Sequence, residues 1–403
     1  MIIGVLYLIL GTSLFLIFWA FLGYPGLLWL LSKLVKNKHT YDENYGLKVS
    51  IIIPCYNEEN MIKEKLKNTL SLDYPKEKMQ IVIVDDGSND KTYKIMKEFI
   101  KNIGKKVLLV HQERAGKYEA IKTGLKCSRN EIIAITDANA LLDKNALRCL
   151  VRHFSDENVG GVTLRGFYKN TNSLKQMEGY PIYLKFGEFI SKKESHLGCL
   201  EHSAGWLQVF RKDLLVLNGG GTFAAIDWNL VLSIINKGYK IIYEPNSFGY
   251  KFSEENIKDL FKQKRRIAIG SFQILSKYKY LLNPFKYGFF SLAFFSNKIL
   301  QMLIPILIPL VFLSSLLIYV TSNSPIFYYL VILQVLLFLF SLISIILPKI
   351  RIIPLSIGRF VLIMNLAYWI GLAGYIMKNY GKGWETVKSQ REINLINKTK
   401  CPP

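Results

Sequence analysis

Three long stretches of this 403-residue chain lack any charged side chain. They are residues Met1–Ser32, Ile299–Pro348 and Phe360–Met377. Because a bilayer crossing needs roughly 20 apolar residues, we predict an integral membrane protein rather than a very apolar soluble one. The first stretch also lacks the basic start and the small-residue cleavage site of a signal peptide, so we interpret it as a retained anchor.

Cysteine and histidine patterns typical of metal sites are also missing. The cysteines show no CxxC spacing, which disfavours a zinc site or a disulfide framework and fits a reducing compartment. The histidines form no HxxH or HExxH pair, and no G-x-S-x-G nucleophile elbow occurs. We therefore assign no histidine to a metal and predict no serine-hydrolase chemistry.

Acidic residues are scarce, since 30 aspartates and glutamates face 52 lysines and arginines, for a net charge of +22. The basic residues gather after the first apolar stretch and before the second: Lys33, Lys36, Lys38, Lys262, Lys264, Arg265, Arg266, Lys277, Lys279 and Lys286. This pattern follows the positive-inside rule and favours anionic membrane lipids as partners, with residues 33–298 in the cytosol. Nucleic acid is the alternative partner for such a charge, but no binding module is recognisable, so we predict none.

The polar part of the chain alternates strand-like and helix-like segments. The predicted strands are 49–53, 81–84, 107–111, 132–136, 159–168, 205–210 and 240–244, and the predicted helices are 58–72, 91–102, 115–127, 145–154 and 227–237. Such alternation is typical of an α/β domain with a mostly parallel twisted sheet and helices on both faces.

Acids follow two of the predicted strands. Asp85 and Asp86 come directly after one apolar strand, and Asp137 and Asn139 follow another. Open α/β sheets bind their ligands at the carboxyl ends of the strands. Adjacent carboxylates repel each other unless a ligand makes use of them, so we predict a site here for a nucleoside diphosphate and a divalent metal ion.

An ordered set of motifs resembles glycosyltransferase family 2, whose members are inverting nucleotide-sugar enzymes with a GT-A fold. The matching segments are Pro54-Cys55-Tyr56-Asn57-Glu58, Asp85-Asp86-Gly87-Ser88, Arg114-Ala115-Gly116-Lys117, Asp137-x-Asn139, Ala225-Ile226-Asp227-Trp228, Gln263-Lys264-Arg265-Arg266-Ile267 and Trp384-Glu385-Thr386-Val387-Lys388. The resemblance runs from about residue 49 to 390, and is strongest to membrane-bound synthases of exopolysaccharide, hyaluronan and poly-N-acetylglucosamine.

The resemblance implies a donor site and a metal site. The donor-binding candidates are Pro54, Tyr56, Asn57, Glu58, Asp85, Asp86, Lys117 and Asp137. Asp137 is the expected first ligand of Mg²⁺ or Mn²⁺, ions that prefer oxygen ligands, and Asn139 is a weaker second ligand. The family more often has aspartate at the second position. Helix capping by the Asp85–Asp86 pair and a solvated lysine at 117 are the structural alternatives.

The resemblance also implies the catalytic groups. Asp227 is the candidate base for the acceptor hydroxyl, with a helix N-cap as the alternative. Gln263 and Arg266 are expected over the pyrophosphate and the acceptor sugar, although this basic segment also suits lipid headgroups. Trp228 could stack on an acceptor sugar, and a core tryptophan is the equal alternative. Ile267 stands where the family has a tryptophan platform, which weakens the case for processive extension.

We therefore predict a membrane-bound inverting glycosyltransferase that moves a sugar from a nucleoside-diphosphate donor, by resemblance a UDP-sugar, to a lipid-linked or polysaccharide acceptor. The predicted parts are an anchor at 1–35, a cytosolic GT-A domain at 45–253, amphipathic interface helices at 254–297, transmembrane segments at 298–378 and a basic tail at 379–403. The alternatives are a single-addition transferase acting on polyprenyl phosphate or a glycolipid, and a non-catalytic membrane binding module.

The predicted topology contains a conflict. One span before the cytosolic domain and three after it would place the C-terminus outside. The basic residues Lys378, Lys382, Lys388 and Arg391 favour the inside instead. We therefore expect that one of the late apolar segments is interfacial or re-entrant.

Overall fold

The computed structural model describes residues 1–36, 39–101, 103, 107–169, 179–203, 205–217, 225–252, 257–347 and 353–379. Several predicted features lie outside the described residues: Lys38, Lys382, Arg391 and the tail motif at 384–388.

One mixed sheet of eight strands forms the centre of the polar domain. The strands are β1 Val49–Cys55, β2 Met79–Asp86, β3 Val107–Gln112, β4 Ile132–Ile135, β5 Leu141–Leu142, β6 Val159–Lys169, β7 Gln208–Arg211 and β8 Lys240–Phe252. Their order is β3-β2-β1-β4-β7-β6-β8-β5. The pairs β1–β2, β1–β4, β2–β3 and β6–β8 are parallel, whereas β7 and β5 pair antiparallel with their neighbours. This confirms the predicted mostly parallel α/β sheet.

Helices cover both faces of that sheet. The helices of the polar domain are α3 Ile62–Leu70, α4 Thr92–Lys101, α5 Lys117–Cys127, α6 Ala146–Val151, α7 Gly179–His196 and α8 Ile226–Asn236. Strand β1 is buried along its whole length, because Ile51 and Ile53 belong to the cluster around α3 while Ile52 packs against α5. A central parallel strand that is apolar on both faces is the expected result.

The structure differs from the sequence prediction in two elements of this domain. Strand β8 continues to Phe252, although the apolar pattern predicted its end at residue 244, because its second half pairs with β6 after a register shift. Helix α7 was not predicted, since its residues mix charged and aromatic side chains without a clear apolar face.

Four apolar helical segments are long enough to cross a membrane by length and composition: Ile2–Leu34, Phe289–Ser322, Pro325–Ile346 and Ile357–Ile376. Their elements are α1 Ile2–Phe18, α2 Tyr24–Leu34, α11 Phe289–Ala293, α12 Leu300–Ser322, α13 Pro325–Ile346 and α14 Ile353–Ile376, with π-helical turns at Trp19–Gly23 and Phe294–Ile299. Membrane-type helices at both ends of the polar domain confirm the predicted architecture.

The segment between the polar domain and the late apolar helices is also helical. It contains α9 Ile257–Tyr278 and the short α10 Pro284–Tyr287. Helix α9 packs closely along α14, where Gly371 leaves room for Ala268, since a Cβ at position 371 would lie 2.6 Å from the Ala268 Cβ. The basic helix that was predicted to lie on the membrane surface therefore packs directly against an apolar helix.

Candidate active site

The turn after β4 presents the predicted metal ligands. The Asp137 carbonyl accepts a hydrogen bond from the Ala140 N–H at 3.1 Å, which closes a tight turn containing Asn139. The Thr136 hydroxyl donates to the Trp206 carbonyl at 2.6 Å, and the Lys65 ammonium donates to the Thr136 hydroxyl at 2.7 Å and to the Ala140 carbonyl at 2.6 Å. These buried bonds hold the turn from both sides.

Lys117 links the predicted metal ligand to the predicted base. Its Nζ lies 2.8 Å from Asp137 Oδ1 and 3.2 Å from Asp227 Oδ1. Two acids that are distant in the sequence therefore share one ammonium group. The Lys117 side chain is 15% exposed, so it is not the solvated helix lysine of the alternative interpretation.

The same contacts settle the charge states. Burial alone would raise the pKa of Asp137, but the charges of Lys117 and Lys251 outweigh it, and the pKa lies below its ordinary value. Burial would lower the pKa of Lys117, but Asp137 and Asp227 outweigh it, and its pKa lies above its ordinary value. Asp137 and Lys117 are therefore held as an ion pair rather than as neutral groups.

Asp227 occupies the first turn of α8. The N-cap of this helix is Ala225, so Asp227 is not the cap that the alternative interpretation required. Its carboxylate instead points to Lys117 and is about a quarter exposed, with a side-chain exposure of 27%. An acid that is anchored by one cation and still open to solvent is suited to accept a proton from a bound hydroxyl.

Gly205 makes room for both acids. A Cβ built at this position would lie 2.7 Å from Asp137 Oδ2 and 3.1 Å from Asp227 Oδ2. Only a residue without a side chain leaves this space free. The Asp137 carboxylate beside this space is an oxygen ligand of the kind that holds Mg²⁺ or Mn²⁺ when substrate phosphates complete the shell, and Asn139 belongs to the same turn. The described residues therefore fit a divalent cation.

Lys251 also belongs to the site, although no pattern in the sequence identified it. Its Nζ lies 2.5 Å from Asp137 Oδ2 and 5.3 Å from the centre of the Trp206 ring. It extends from the second half of β8, which the apolar pattern did not predict to be a strand. Its place in the site depends on the register of β8 against β6, in which Lys251 pairs with Tyr168. A local sequence pattern does not indicate such a long-range pairing.

The adjacent acids at the end of β2 have different environments. Asp86 accepts hydrogen bonds from the Gln112 amide, the Arg114 guanidinium and the backbone N–H groups of Ala115 and Gly116, all at 2.8–2.9 Å. Its carboxylate is thus used within the protein, where it fixes the loop that starts α5 and so places Lys117. Neither this acid nor Asp85 caps the following helix α4.

One carboxylate oxygen of Asp85 is available for a ligand. Its Oδ2 accepts from the Ser88 N–H at 3.3 Å and lies 2.7 Å from His111 Nδ1. Its Oδ1 is buried and has no hydrogen-bond partner within the described part of the chain. Because an unpaired buried carboxylate oxygen is costly, Asp85 is the better candidate of the two for a contact with the nucleotide.

The loop after β1 is tied to the loop after β2. Asn57 has a left-handed backbone (φ 51°), and its N–H donates to the Ser88 hydroxyl at 2.9 Å. The Glu58 N–H donates to the Thr92 hydroxyl at 2.7 Å. The Arg114 guanidinium lies 3.2 Å from the centre of the Tyr56 ring. With Pro54 paired to Val84 in the sheet, the predicted donor-binding motifs meet at one edge.

Trp228 lies in the core, which corrects its predicted role in acceptor stacking. It is 5% exposed, and its Nε1 donates to the carbonyl oxygen and to Oε2 of Glu201, both at 2.9 Å. Its ring packs against Phe294, with ring centres 5.8 Å apart. The indole therefore joins α8 to the first late apolar segment and has no face open to a sugar.

Gln263 and Arg266 lie one turn apart on α9, and both are half-buried. The far end of this helix reaches α8, where the Tyr278 hydroxyl lies 3.1 Å from Asn229 Oδ1. The helix is thus anchored to the element that carries Asp227, and the roles of Gln263 and Arg266 remain predictions.

A second buried acid cluster lies beneath the site, facing the apolar helices. Glu194, Glu201 and His202 place ligand-type atoms within 4.8 Å of one another. The Asn297 amide donates to Oε1 of Glu194 at 3.2 Å and to Oε1 of Glu201 at 3.1 Å. None of these residues was singled out from the sequence, because each stands in an unremarkable local context.

Comparisons with known proteins agree with this architecture. Residues 50–215 match the family described as Glycosyl transferase family 2. Poly-beta-1,6-N-acetyl-D-glucosamine synthase of Staphylococcus epidermidis is 29% identical over 249 residues, which cover 60% of this chain and 58% of that protein. The enzyme of the same name from Staphylococcus aureus (strain MSSA476) is 28% identical over 234 residues, or 56% of this chain and 55% of its own. The match thus spans somewhat more than half the length of these relatives.

A solved structure shares the fold over nearly the whole chain. It is the mannosyltransferase PcManGT from Pyrobaculum calidifontis in complex with GDP-Man and Mn²⁺. It superposes with a TM-score of 0.67 at 21% identity, covering 92% of this chain and 99% of that one. This likeness confirms the predicted GT-A fold.

Proposed function

We propose that this chain, whose residues 50–215 form a glycosyltransferase family 2 domain, is a membrane-bound inverting transferase that uses a nucleoside-diphosphate sugar. The observation that carries the proposal is the cluster in which Lys117 lies between Asp137 and Asp227, beside the space that Gly205 leaves. It unites a metal-type ligand, a phosphate-type cation and a solvent-accessible base at the carboxyl ends of the strands.

The contacts of these side chains support the following roles. Asp137 and Asn139 would hold a divalent cation, which as a Lewis acid stabilises the departing diphosphate. Lys117 is placed to pair with a phosphate oxygen. Asp227 accepts the proton of the acceptor hydroxyl while that oxygen forms its bond to the anomeric carbon and the bond from this carbon to the phosphate oxygen breaks. Attack opposite the leaving group inverts the configuration.

The donor is proposed to be a UDP-sugar, and the acceptor a lipid-linked or growing glycan. The names of the relatives, poly-beta-1,6-N-acetyl-D-glucosamine synthases, support an N-acetylglucosamine donor. The GDP-Man of the structural neighbour supports a GDP-sugar as the competing possibility. Release of nucleotide by purified protein in lipid, with Mn²⁺ or Mg²⁺ and a panel of UDP- and GDP-sugars, identifies the donor.

The test of the mechanism is a pair of substitutions. Asp227→Asn should lower transfer by at least about 100-fold, since general-base catalysis contributes that much, while nucleotide binding stays close to that of the parent. Asp137→Ala should instead weaken Mn²⁺-dependent nucleotide binding. Calorimetry of UDP binding and radiolabelled transfer measure the two effects. Unchanged turnover in Asp227→Asn would remove this residue from the role of base.

A single-addition transferase is the second candidate, and one residue favours it. Ile267, half-buried on α9, stands where the family has an aromatic platform. Product length on a gel distinguishes the two, because a polymerase yields a ladder and a single-addition enzyme yields one band. Ile267→Trp should lengthen the product if the missing ring limits extension.

The catalytic domain is proposed to face the cytosol, on the basis of the basic residues that flank the apolar helices. All three late apolar segments are helical and long enough to span. Protease access to a C-terminal tag in inverted vesicles shows whether the three all cross. An accessible tag on the cytosolic side would mean that one of them does not.

A further inference from the structure

Two lysine ammonium groups face the single carboxylate of Asp137. The Lys117 ammonium lies 2.8 Å from its Oδ1, and the Lys251 ammonium lies 2.5 Å from its Oδ2. Both oxygen atoms that a metal would use are therefore paired with lysines. A divalent cation arriving alone meets two positive charges at its own site, so its binding is opposed.

The two lysines differ in their other contacts. Lys117 is also held by Asp227, whose Oδ1 and Oδ2 lie 3.2 and 3.4 Å from its Nζ. Within the described part of the chain, Asp137 is the one acid at ion-pair distance from Lys251. Among the described residues, Lys251 therefore has no second carboxylate to keep it in place once Asp137 acts as a ligand.

Lys251 is also positioned to move without leaving the site. Its side chain is 13% exposed, and its ammonium lies near the face of Trp206. Two glycines bring this indole close to the strands, since a Cβ at Gly166 would lie 2.2 Å from a Trp206 ring atom, and one at Gly249 would lie 3.1 Å from its Cβ. The ring of Trp206 therefore offers the ammonium a second favourable contact beside Asp137.

We propose that Lys251 binds the diphosphate of the donor and pairs with Asp137 when no donor is present. Lys251 thereby makes cation binding conditional on the nucleotide. This inference rests on the proposed function. Without donor, Lys251 neutralises Asp137 and opposes the cation. With donor, Lys251 exchanges its carboxylate partner for a phosphate oxygen, and Oδ2 of Asp137 is released to act as a ligand. The cation and the nucleotide then bind cooperatively through one side chain.

The test measures Mn²⁺ binding directly, with no need for turnover. The full chain in lipid is titrated with Mn²⁺, and the free ion is followed by electron paramagnetic resonance, with no nucleotide, with UDP and with GDP. The variants are Lys251→Met and Lys251→Arg, and the control is Lys122→Met, an exposed lysine on α5 that lies 3.4 Å from Glu119. Thermal melting of each variant confirms that it is folded.

Lys251→Met should change the affinity for Mn²⁺ alone and the affinity for the nucleotide in opposite directions. In Lys251→Met, Mn²⁺ alone should bind about tenfold more tightly, whereas the nucleotide should bind about tenfold more weakly in the presence of Mn²⁺. Lys251→Arg should stay near the parent in both, because the charge is kept. Lys122→Met should change neither.

The outcomes separate this inference from the proposed function. If the parent binds UDP or GDP together with Mn²⁺, but Lys251→Met leaves the coupling between them intact, the role of Lys251 is wrong and the function stands. If both ligands bind more weakly in Lys251→Met, the lysine supports the fold of the site and does not switch between Asp137 and the diphosphate. If the parent binds neither nucleotide, both proposals are overturned.

Discussion

Two acid clusters border α8, and the charges of their acids are balanced in different ways. In the upper cluster, Asp137 and Asp227 are paired with lysine ammonium groups at 2.5–3.2 Å. In the lower cluster, Glu194 and Glu201 share one neutral amide, that of Asn297, and the nearest ammonium, Lys298, is 3.9 Å from Glu201. The lysines favour the ionised form of Asp137, whereas burial and the neighbouring acid oppose the ionisation of Glu194.

The pKa directions show the same contrast. Burial and the neighbouring Glu201 raise the pKa of Glu194 well above its ordinary value. Burial also acts on Glu201, but Lys298, His202 and the Trp228 indole outweigh it and hold its pKa below the ordinary value. The two opposite directions favour a pair in which Glu201 is charged and Glu194 keeps its proton more readily than an ordinary glutamate.

The difference indicates what each cluster is for. Charged lysines can exchange one anion for another, so the upper cluster is suited to ligands that come and go. In the lower cluster the closest partners from the apolar helices are neutral donors, the Tyr24 hydroxyl at 2.7 Å from Glu194 and the Asn297 amide, with the Lys298 ammonium farther away at 3.9 Å from Glu201. Buried acids with fixed neutral partners connect two parts of a structure, here the α/β domain and its membrane helices.

The largest effect is expected at the upper cluster from one added methyl group. Gly205→Ala should lower transfer by about 100-fold, because its Cβ would lie 2.7 Å from Asp137 Oδ2 and displace the acid from its working position. Gly187→Ala is the matched control, since a Cβ there meets nothing within 4 Å. Transfer assays on both variants compare them, and full activity in Gly205→Ala would mean that the cluster adapts.

At the lower cluster, the two acids should respond differently to the same change. Glu201→Gln should cost about 1–3 kcal/mol, because it removes the charge that compensates Lys298. Glu194→Gln should cost less than about 1 kcal/mol, because an amide resembles a protonated carboxyl. Melting temperatures in lipid measure both, and equal losses would contradict the assignment of one proton to Glu194.

The pH dependence of Glu194 gives the same pair a second test. An acid whose pKa is raised on folding stabilises the protein below its unfolded value of about 4.5, and this stabilisation is lost as the pH rises. The melting temperature of the parent should therefore fall relative to Glu194→Gln as the pH rises above that value. A constant difference would show that Glu194 keeps its ordinary pKa.

The smallest effect is expected from the buried lysine beneath the upper cluster. Burial lowers the pKa of Lys65 from 10.5 to about 7, with Lys251 adding to the shift and Asp137 opposing it. Between these values the unfolded chain binds a proton that the folded chain does not, so stability rises with pH. Lys65→Met should remove this slope of the melting temperature, whereas Lys63→Met, an exposed lysine of the same helix, should retain it.

The sequence by itself determined the strand–helix alternation, the apolar spans and the ordered motifs, because these depend on periodicity and on neighbours in the chain. It therefore predicted the fold class and the positions of Asp137, Lys117 and Asp227. It did not distinguish Asp85 from Asp86, which look equivalent as adjacent acids. The partners of Asp86 come from the loop at residues 112–116, and Asp85 instead contacts His111 of β3, an arrangement that only folding brings about.

Only the tertiary structure decided the rest. The register of β8 against β6 brings Lys251 to Asp137, and the approach of two acids to one backbone gives Gly205 its importance. The meeting of α8 with the apolar helices buries Trp228, for which the sequence left core and surface equally open. Each of these depends on contacts between segments far apart in the chain, and a local pattern carries no record of them.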